Sequence, residues 1–463
     1  MFDSNTYIKR RNALRKSLKS GVILFIGNNE APMNYAGNPY RFRQDSNFLY
    51  FFGLSLPKLA GVIDIDEGTD CIYGDEHDIE DIIWNGQLPS MQELAGLAGV
   101  SSVVPRKDLR IKLLSATRKG RKVHFAPPYR ADAGNTVADL LGLRFGDLLN
   151  YVSKSLVRAI VALRSVKEAC EIAEIEKACD TGYAMHTRAM HLCQPGVYEY
   201  QIAGALEGVA ASAGGTISFP VILSQNSEIL HNHSHRNLLV EGKMMLTDAG
   251  AETASGYASD FTRTIPVGGK FTERQAAVYN IVLKANNRAQ EIAKPGMFYY
   301  DVHIAAATVI AEGLKELGLM KGDTAEAVAN GAHALFFPHG LGHMMGLDVH
   351  DMENLGENNV GYDDEIQRSP QFGTAYLRFG RRLKENFVLT VEPGIYFIPA
   401  LIAKWKTEKI NGSFINFNRL NEYLDFGGIR IEDNIAVTKN ACRRLGKQRI
   451  PVSVEEIEEE MRK

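Results

Sequence analysis

Cysteine is scarce in this chain: five residues (Cys71, Cys170, Cys179, Cys193 and Cys442) in 463, with no CxxC pair. A small, odd set of that kind fits reduced thiols better than a disulfide framework. Long apolar runs are missing as well. None approaches the roughly 20 residues that span a bilayer, and the first stretch, MFDSNTYIKRRNALRKSLKS, lacks the apolar core of a signal peptide. No charge sign dominates, since 52 Lys+Arg against 55 Asp+Glu leave −3. With no basic stripe interleaved with aromatics, neither nucleic acid nor a membrane is an expected partner. Together these absences predict a cytoplasmic protein.

What is present is an ordinary globular composition, 45% hydrophobic and 23% charged, in a chain too long for one core. The first part reads as a small mixed α/β domain, residues 1–160. GVILFIG (21–27) and LAGVIDID (59–66) are strand-like, and DIEDIIWNG (78–86) is part of a helix or loop. The aromatic stretch YRFRQDSNFLYFFGL (40–54) is expected to supply core strands. A boundary is expected near 155–165, where Ser165-Val166-Lys167-Glu168 has the form of a helix-start capping box.

Residues 161–463 show an internal duplication. Thr272-Glu273-Arg274-Gln275 is a second capping box about 100 residues after the first. Helices ending near Pro195-Gly196 and Pro295-Gly296 are each followed by an aromatic, then alanine-rich helix. MMLTDAG (244–250) matches FVLTVEPG (387–394), and ASDFTRTI (258–265) matches GIRIEDNI (428–435). Four matches in one order predict two copies of a helix–helix–strand–strand unit facing each other.

The paired strands would aim Asp248, Asp260, Glu392 and Glu432 at a common centre. Four unpaired buried carboxylates cost many kcal/mol, and two divalent cations would balance their charge. Carboxylates with one imidazole suit Mn²⁺, Co²⁺ or Zn²⁺. The alternative is a salt-bridge network using Arg263, Arg378 and Arg430. FFPHGLGHMMGLDVHD (336–351) adds His339, His343 and His350. Pro338, Gly340 and Gly342 predict a loop or strand end there rather than a helix, and spacing alone does not say which ring is a ligand.

The motifs LTDAG…YASDFTRT, HGLGHMMGLDVHD, LTVEPGIY and GGIRIEDN resemble the pita-bread metallopeptidases of the proline-directed branch, prolidase and aminopeptidase P, over roughly residues 163–444. YRFRQDSNFLYFFGL resembles that branch's N-terminal domain. The resemblance implies an α/β (α+β) chain whose C-terminal pita-bread domain carries a pseudo-two-fold repeat. It implies two divalent ions, Mn²⁺ first, held by Asp248, Asp260, His343, Glu392 and Glu432. Asp260 and Glu432 would bridge the ions, and Glu392 would also shuttle a proton.

His231, His339 and His350 align with histidines that contact substrate and the developing oxyanion, and Arg430 with the arginine of the GIRIED motif. Asp248 and Asp260 lie twelve apart where the family usually has eleven, which should alter a turn and spare the ligand. Small Xaa-Pro peptides are the implied substrates and a homodimer the implied assembly. The expected activity is that of an Xaa-Pro dipeptidase. The motif YLR, the forty-residue interval from Glu392 to Glu432, and Arg378 as a clamp for the proline carboxylate all resemble prolidases. Two alternatives are an Xaa-Pro aminopeptidase and a metal-free pita-bread binding protein without activity. The insertion 351–373 lies close enough in sequence to reshape the pocket.

Overall fold

The computed structural model describes all of residues 1–463. The chain divides into two compact units, Met1–Arg164 with Met352–Asn359, and Ser165–Asp351 with Val360–Lys463. The division at 164/165 falls at the end of the helix Lys154–Ser165, four residues beyond the expected 160/161 boundary.

In the first unit β1 (Val22–Ile26), β2 (Ala60–Asp64), β3 (Thr69–Tyr73), β4 (Ser102–Val104) and β5 (Val123–His124) form one sheet in the order β4-β3-β2-β1-β5. Its side chains alternate as a two-sided buried sheet requires. Val22, Leu24, Ala60 and Val62 pack with Leu109 and Leu113 of the helix Leu109–Arg118. Phe25, on the other face, meets Phe51 at 4.9 Å between ring centroids.

Phe51 corrects an expectation, because residues 46–52 are a helix and not core strands. The Asp45 side chain accepts the Phe48 amide at the start, and Gly53 closes the end at φ 71°, in the left-handed region that glycine tolerates best. Six of its seven residues are buried, so the sequence shows no polar stripe that would reveal a helical period.

The second unit repeats one construction. The helices Ala169–Leu192 and Glu199–Ser212 precede β6 (Thr216–Ile217), β7 (Ile222–Ser224), β8 (Met244–Ala249), β9 (Ala251–Glu252) and β10 (Phe261–Pro266). The helices Glu273–Ile292 and Tyr299–Glu316 precede β11 (Val388–Val391), β12 (Gly394–Tyr396), β13 (Gly428–Arg430), β14 (Asp433–Val437) and β15 (Cys442–Arg444). Thr272 caps its helix with Gln275 as the sequence predicts. The first box is displaced: Ser165 ends a helix, and Glu168 with Glu171 closes the capping box of the next. Lys167 donates to Asp351 at 2.8 Å, so the intervening residues form a linker held by a buried ion pair.

Antiparallel β8 and β10 place Asp248 opposite Thr262, and antiparallel β11 and β14 place Thr390 opposite Asn434. The two copies are stitched by backbone. The Glu432 amide donates to the Thr262 carbonyl at 3.0 Å, and the Thr264 hydroxyl lies 3.1 Å from the Arg430 amide. Helices back the strands closely. Gly182 faces Phe261, where a Cβ would lie 2.7 Å from the ring. Asn286 donates to the carbonyls of Val391 and Ile431 from the repeat's other helix pair.

Candidate metal centre

Each acid sits where a strand ends or breaks. Asp248 is the fifth residue of β8, and Asp260 immediately precedes β10. Glu392 follows β11, and Glu432 occupies the gap between β13 and β14. Between Asp248 and Asp260 the chain turns after β9, where the Thr253 amide donates to the Tyr257 carbonyl at 2.9 Å.

The histidine segment is irregular, as the glycines predict. It runs beside β11, with the Thr390 amide donating to the His343 carbonyl and the Glu392 amide to the Leu341 carbonyl. Gly342 is essential to that approach, since a Cβ there would lie 2.2 Å from the Thr390 carbonyl oxygen.

These elements converge. Ligand-capable atoms of Asp248, Asp260 and Glu432 lie within 4.8 Å of one another, as do those of His343, Glu392 and Glu432 and those of Asp260, His343 and His350. His343 Nδ1 bonds the Met344 carbonyl at 3.0 Å, which turns Nε2 toward Asp260 at 3.4 Å and Glu392 at 3.7 Å. The His350 ring stacks obliquely 4.0 Å from that of His343.

The electrostatics fit cations. Burial, reinforced by neighbouring carboxylates, pushes Asp260 and Glu432 well above the usual carboxylate range, and burial also raises Glu392. One oxygen each of Asp248 and Asp260 is buried without a hydrogen-bond partner. Orphaned carboxylate oxygens aimed at one another are unfavourable unless positive charge lies between them.

Of the three arginines in the salt-bridge alternative, Arg430 pairs with an acid of the centre, donating to Asp248 Oδ2 at 2.6 Å. Arg263 pairs with Asp433 at 2.7 Å and binds the carbonyls of Thr262 and Glu432, so it fixes backbone. Arg378 is partly buried on the cavity wall.

Several supporting residues escaped the sequence reading. Arg430 donates to the Tyr396 hydroxyl at 2.8 Å, and that hydroxyl lies 3.0 Å from His339 Nε2. His339 Nδ1 bonds the Gly340 carbonyl at 2.8 Å. Burial, with Arg430 nearby, holds its pKa down to about 3, so the ring is neutral near pH 7. Thr262 donates to Glu432 at 2.7 Å, and Asn434 brackets the Asp260 backbone through its side-chain oxygen and nitrogen. The only sequence signal for Tyr396 and Asn434 was their place inside LTVEPGIY and GGIRIEDN.

A cavity of about 950 Å³ opens over the acids. His231, His339, His343, His350, Arg378 and Arg430 all line it, and its remaining wall is largely apolar. A deep site with several acids, imidazoles and an apolar wall is built for metal-assisted hydrolysis of a small polar substrate.

The comparisons narrow that class. Residues 173–439 match the profile of metallopeptidase family M24, and residues 7–124 match the aminopeptidase P N-terminal domain. The probable Xaa-Pro aminopeptidase of Fusarium vanettenii is 32% identical over 424 residues, covering 91% of this chain and 87% of the relative. That of Metarhizium acridum is 31% identical over 430 residues, with 92% and 82% covered. The structure of Pseudomonas aeruginosa aminopeptidase PepP superposes with a TM-score of 0.82 at 27% identity, covering 100% of this chain and 98% of the other. An Escherichia coli aminopeptidase P variant in complex with substrate gives 0.81 at 29% identity, with 99% and 98% covered. The chain is a metallopeptidase of the M24 family, with an aminopeptidase P N-terminal domain followed in sequence by a pita-bread catalytic domain. The family implies divalent metal ions, and the acid and imidazole cluster fits them.

Proposed function

We propose that this chain is an Xaa-Pro aminopeptidase, releasing the N-terminal residue from peptides whose second residue is proline. This replaces the dipeptidase favoured from sequence. The observation that carries it is the cavity. About 950 Å³ is at the upper end of the range for ligand sites and leaves room for chain beyond proline. The names of the Fusarium and Metarhizium relatives and the aminopeptidase P superpositions support the same choice.

In this reading Asp248, Asp260, His343, Glu392 and Glu432 hold two divalent cations, Mn²⁺ by preference. The cations supply Lewis acidity and counter-charge to the developing oxyanion. The residues do the rest. Oxygens of the ligand acids would accept hydrogen bonds from the substrate's free amine. Glu392, with its pKa raised by burial, takes a proton from the attacking water and delivers it to the proline nitrogen as the C–N bond breaks. That nitrogen carries no hydrogen in the peptide, so it needs this proton to leave as an amine.

Tyr396 and Gly340 fix the neutral His339 ring at the cavity edge, while His231 and His350 complete the imidazole lining around the scissile carbonyl. Arg430 anchors Asp248 through one oxygen and leaves the other for a cation. A homodimer in the cytoplasm belongs to the same proposal.

Dipeptidase activity stays as a second reading because Arg378 lines the cavity, where a guanidinium could grip a free proline carboxylate. Hydrolysis of Ala-Pro and Ala-Pro-Ala side by side with Mn²⁺ decides between them. Preferred cleavage of the tripeptide supports the aminopeptidase, and cleavage of the dipeptide alone rejects it.

A further inference from the structure

The cavity's far wall is the helix Pro399–Glu408, which lies inside the long interval between Glu392 and Glu432. Pro399 at its first turn pre-sets the helical φ directly after β12. One face is anchored: Ile402 and Trp405 are each 4% exposed, and Trp405 meets Phe372 edge-on at 6.1 Å. Phe372 in turn meets Tyr376 at 6.1 Å. The helix and the end of the 351–373 insertion are therefore braced into one wall. The adjoining face, with Leu401 and Lys404 three residues apart, lines the cavity.

Lys404 is exposed, and no carboxylate of the chain lies within ion-pair distance of it. A lysine there can lay its stem along apolar surface and leave its ammonium for solvent or a ligand. Among the lining cations, Arg430 is already committed to Asp248 and Tyr396. The cavity thus has a floor formed by the acids of the centre and a braced wall on which Lys404 offers a positive charge.

We infer that Lys404 is a specificity residue which binds a carboxylate carried by the residue following proline. The inference rests on the aminopeptidase reading and names a substrate class within it: short Xaa-Pro-Yaa peptides with a free C-terminus, or peptides with an acidic Yaa. The two sources share one chemistry, and matched peptides separate them.

The test measures kcat and KM of the Mn²⁺-loaded full chain on Ala-Pro-Ala, Ala-Pro-Ala-amide, Ala-Pro-Asp-amide and Ala-Pro. Wild type should prefer the free acid over the amide by about three- to fivefold, the scale of an exposed ion pair, mainly through KM. The preference should shrink with added salt. Lys404→Met should bring that ratio close to one, whereas Lys406→Met, on an exposed position outside the cavity lining, should keep it. Recovery with Ala-Pro-Asp-amide assigns the site to any nearby carboxylate, and no recovery assigns it to the chain terminus; both support a role for Lys404. A ratio unchanged by Lys404→Met, with the tripeptide cleaved, overturns the subsite alone. Cleavage of Ala-Pro but not the tripeptide overturns the aminopeptidase reading and the subsite together.

Discussion

Replacing Asn434 by alanine tests whether the centre is held by its surroundings. Asn434 is fully buried, accepts the Asp260 amide at 3.0 Å and donates to the Asp260 carbonyl. Alanine removes both bonds and strands a buried amide and carbonyl. At about 1–3 kcal/mol for each of the two buried groups left unsatisfied, the metal-free protein should lose about 2–6 kcal/mol. Urea unfolding of the metal-free protein measures that loss.

The more specific consequence concerns Asp260, whose backbone Asn434 pins from both sides. Loss of an outer-shell partner typically weakens metal binding by about 10- to 100-fold, read by competition with a chelator of known affinity. Asn434→Asp keeps an acceptor for the amide but loses the donor and adds negative charge, so it should recover only part of the stability. If Asn434→Ala loses stability yet binds Mn²⁺ as tightly as wild type, the reasoning that the asparagine positions a ligand is refuted.

Three further outcomes follow from the geometry. Asp260→Ala or His343→Ala should abolish peptide hydrolysis while leaving soluble protein, and full activity in either variant would remove the proposed centre. Arg378→Ala should slow Ala-Pro far more than Ala-Pro-Ala if the arginine grips a proline carboxylate, and equal losses in kcat/KM would reject that role. In the first unit, burial alone would raise the Asp64 pKa, but hydrogen bonds from Arg121 and Lys112 and the Glu67 amide hold it at about 2. A carboxylate depressed in the folded state stabilises above its unfolded pKa of about 3.9, so roughly 2 kcal/mol should be present near neutrality and fade as pH falls toward 2. The unfolding free energies of wild type and Asp64→Asn should therefore converge below about pH 4, and a constant gap would contradict the ion-pair account.

Much of the centre was legible in the sequence because each acid interrupts an apolar strand, a pattern that chance and solvation explain poorly. The repeat was legible for the same reason, since the strands and their preceding Pro-Gly turns recur in order. Local capping was less secure. Ser165 and Glu168 have the spacing of a box, but the linker around Lys167 is fixed by Asp351, nearly two hundred residues away. The aromatic run 46–52 misled because a helix buried on most sides loses its period. Tyr396, Thr262 and Asn434 act through hydrogen bonds across strands, and register is invisible until the sheets are paired. The choice between dipeptidase and aminopeptidase was not legible in Arg378 alone, because one side chain does not show how much space surrounds it.

The fastening of the histidine segment to β11 has a mechanical consequence. At Gly342 backbone lies against backbone, and amides on both sides of Thr390 and Glu392 are shared with residues 341–343. His343 and Glu392 therefore ride on a single plank and cannot change their spacing independently. Asp248 and Asp260 lie on the other repeat, joined through the bridge at Thr262 and Glu432. When ions of different radius enter, the gap between the two repeats is the dimension left to adjust, and the stitches across that bridge set the compliance of the grip.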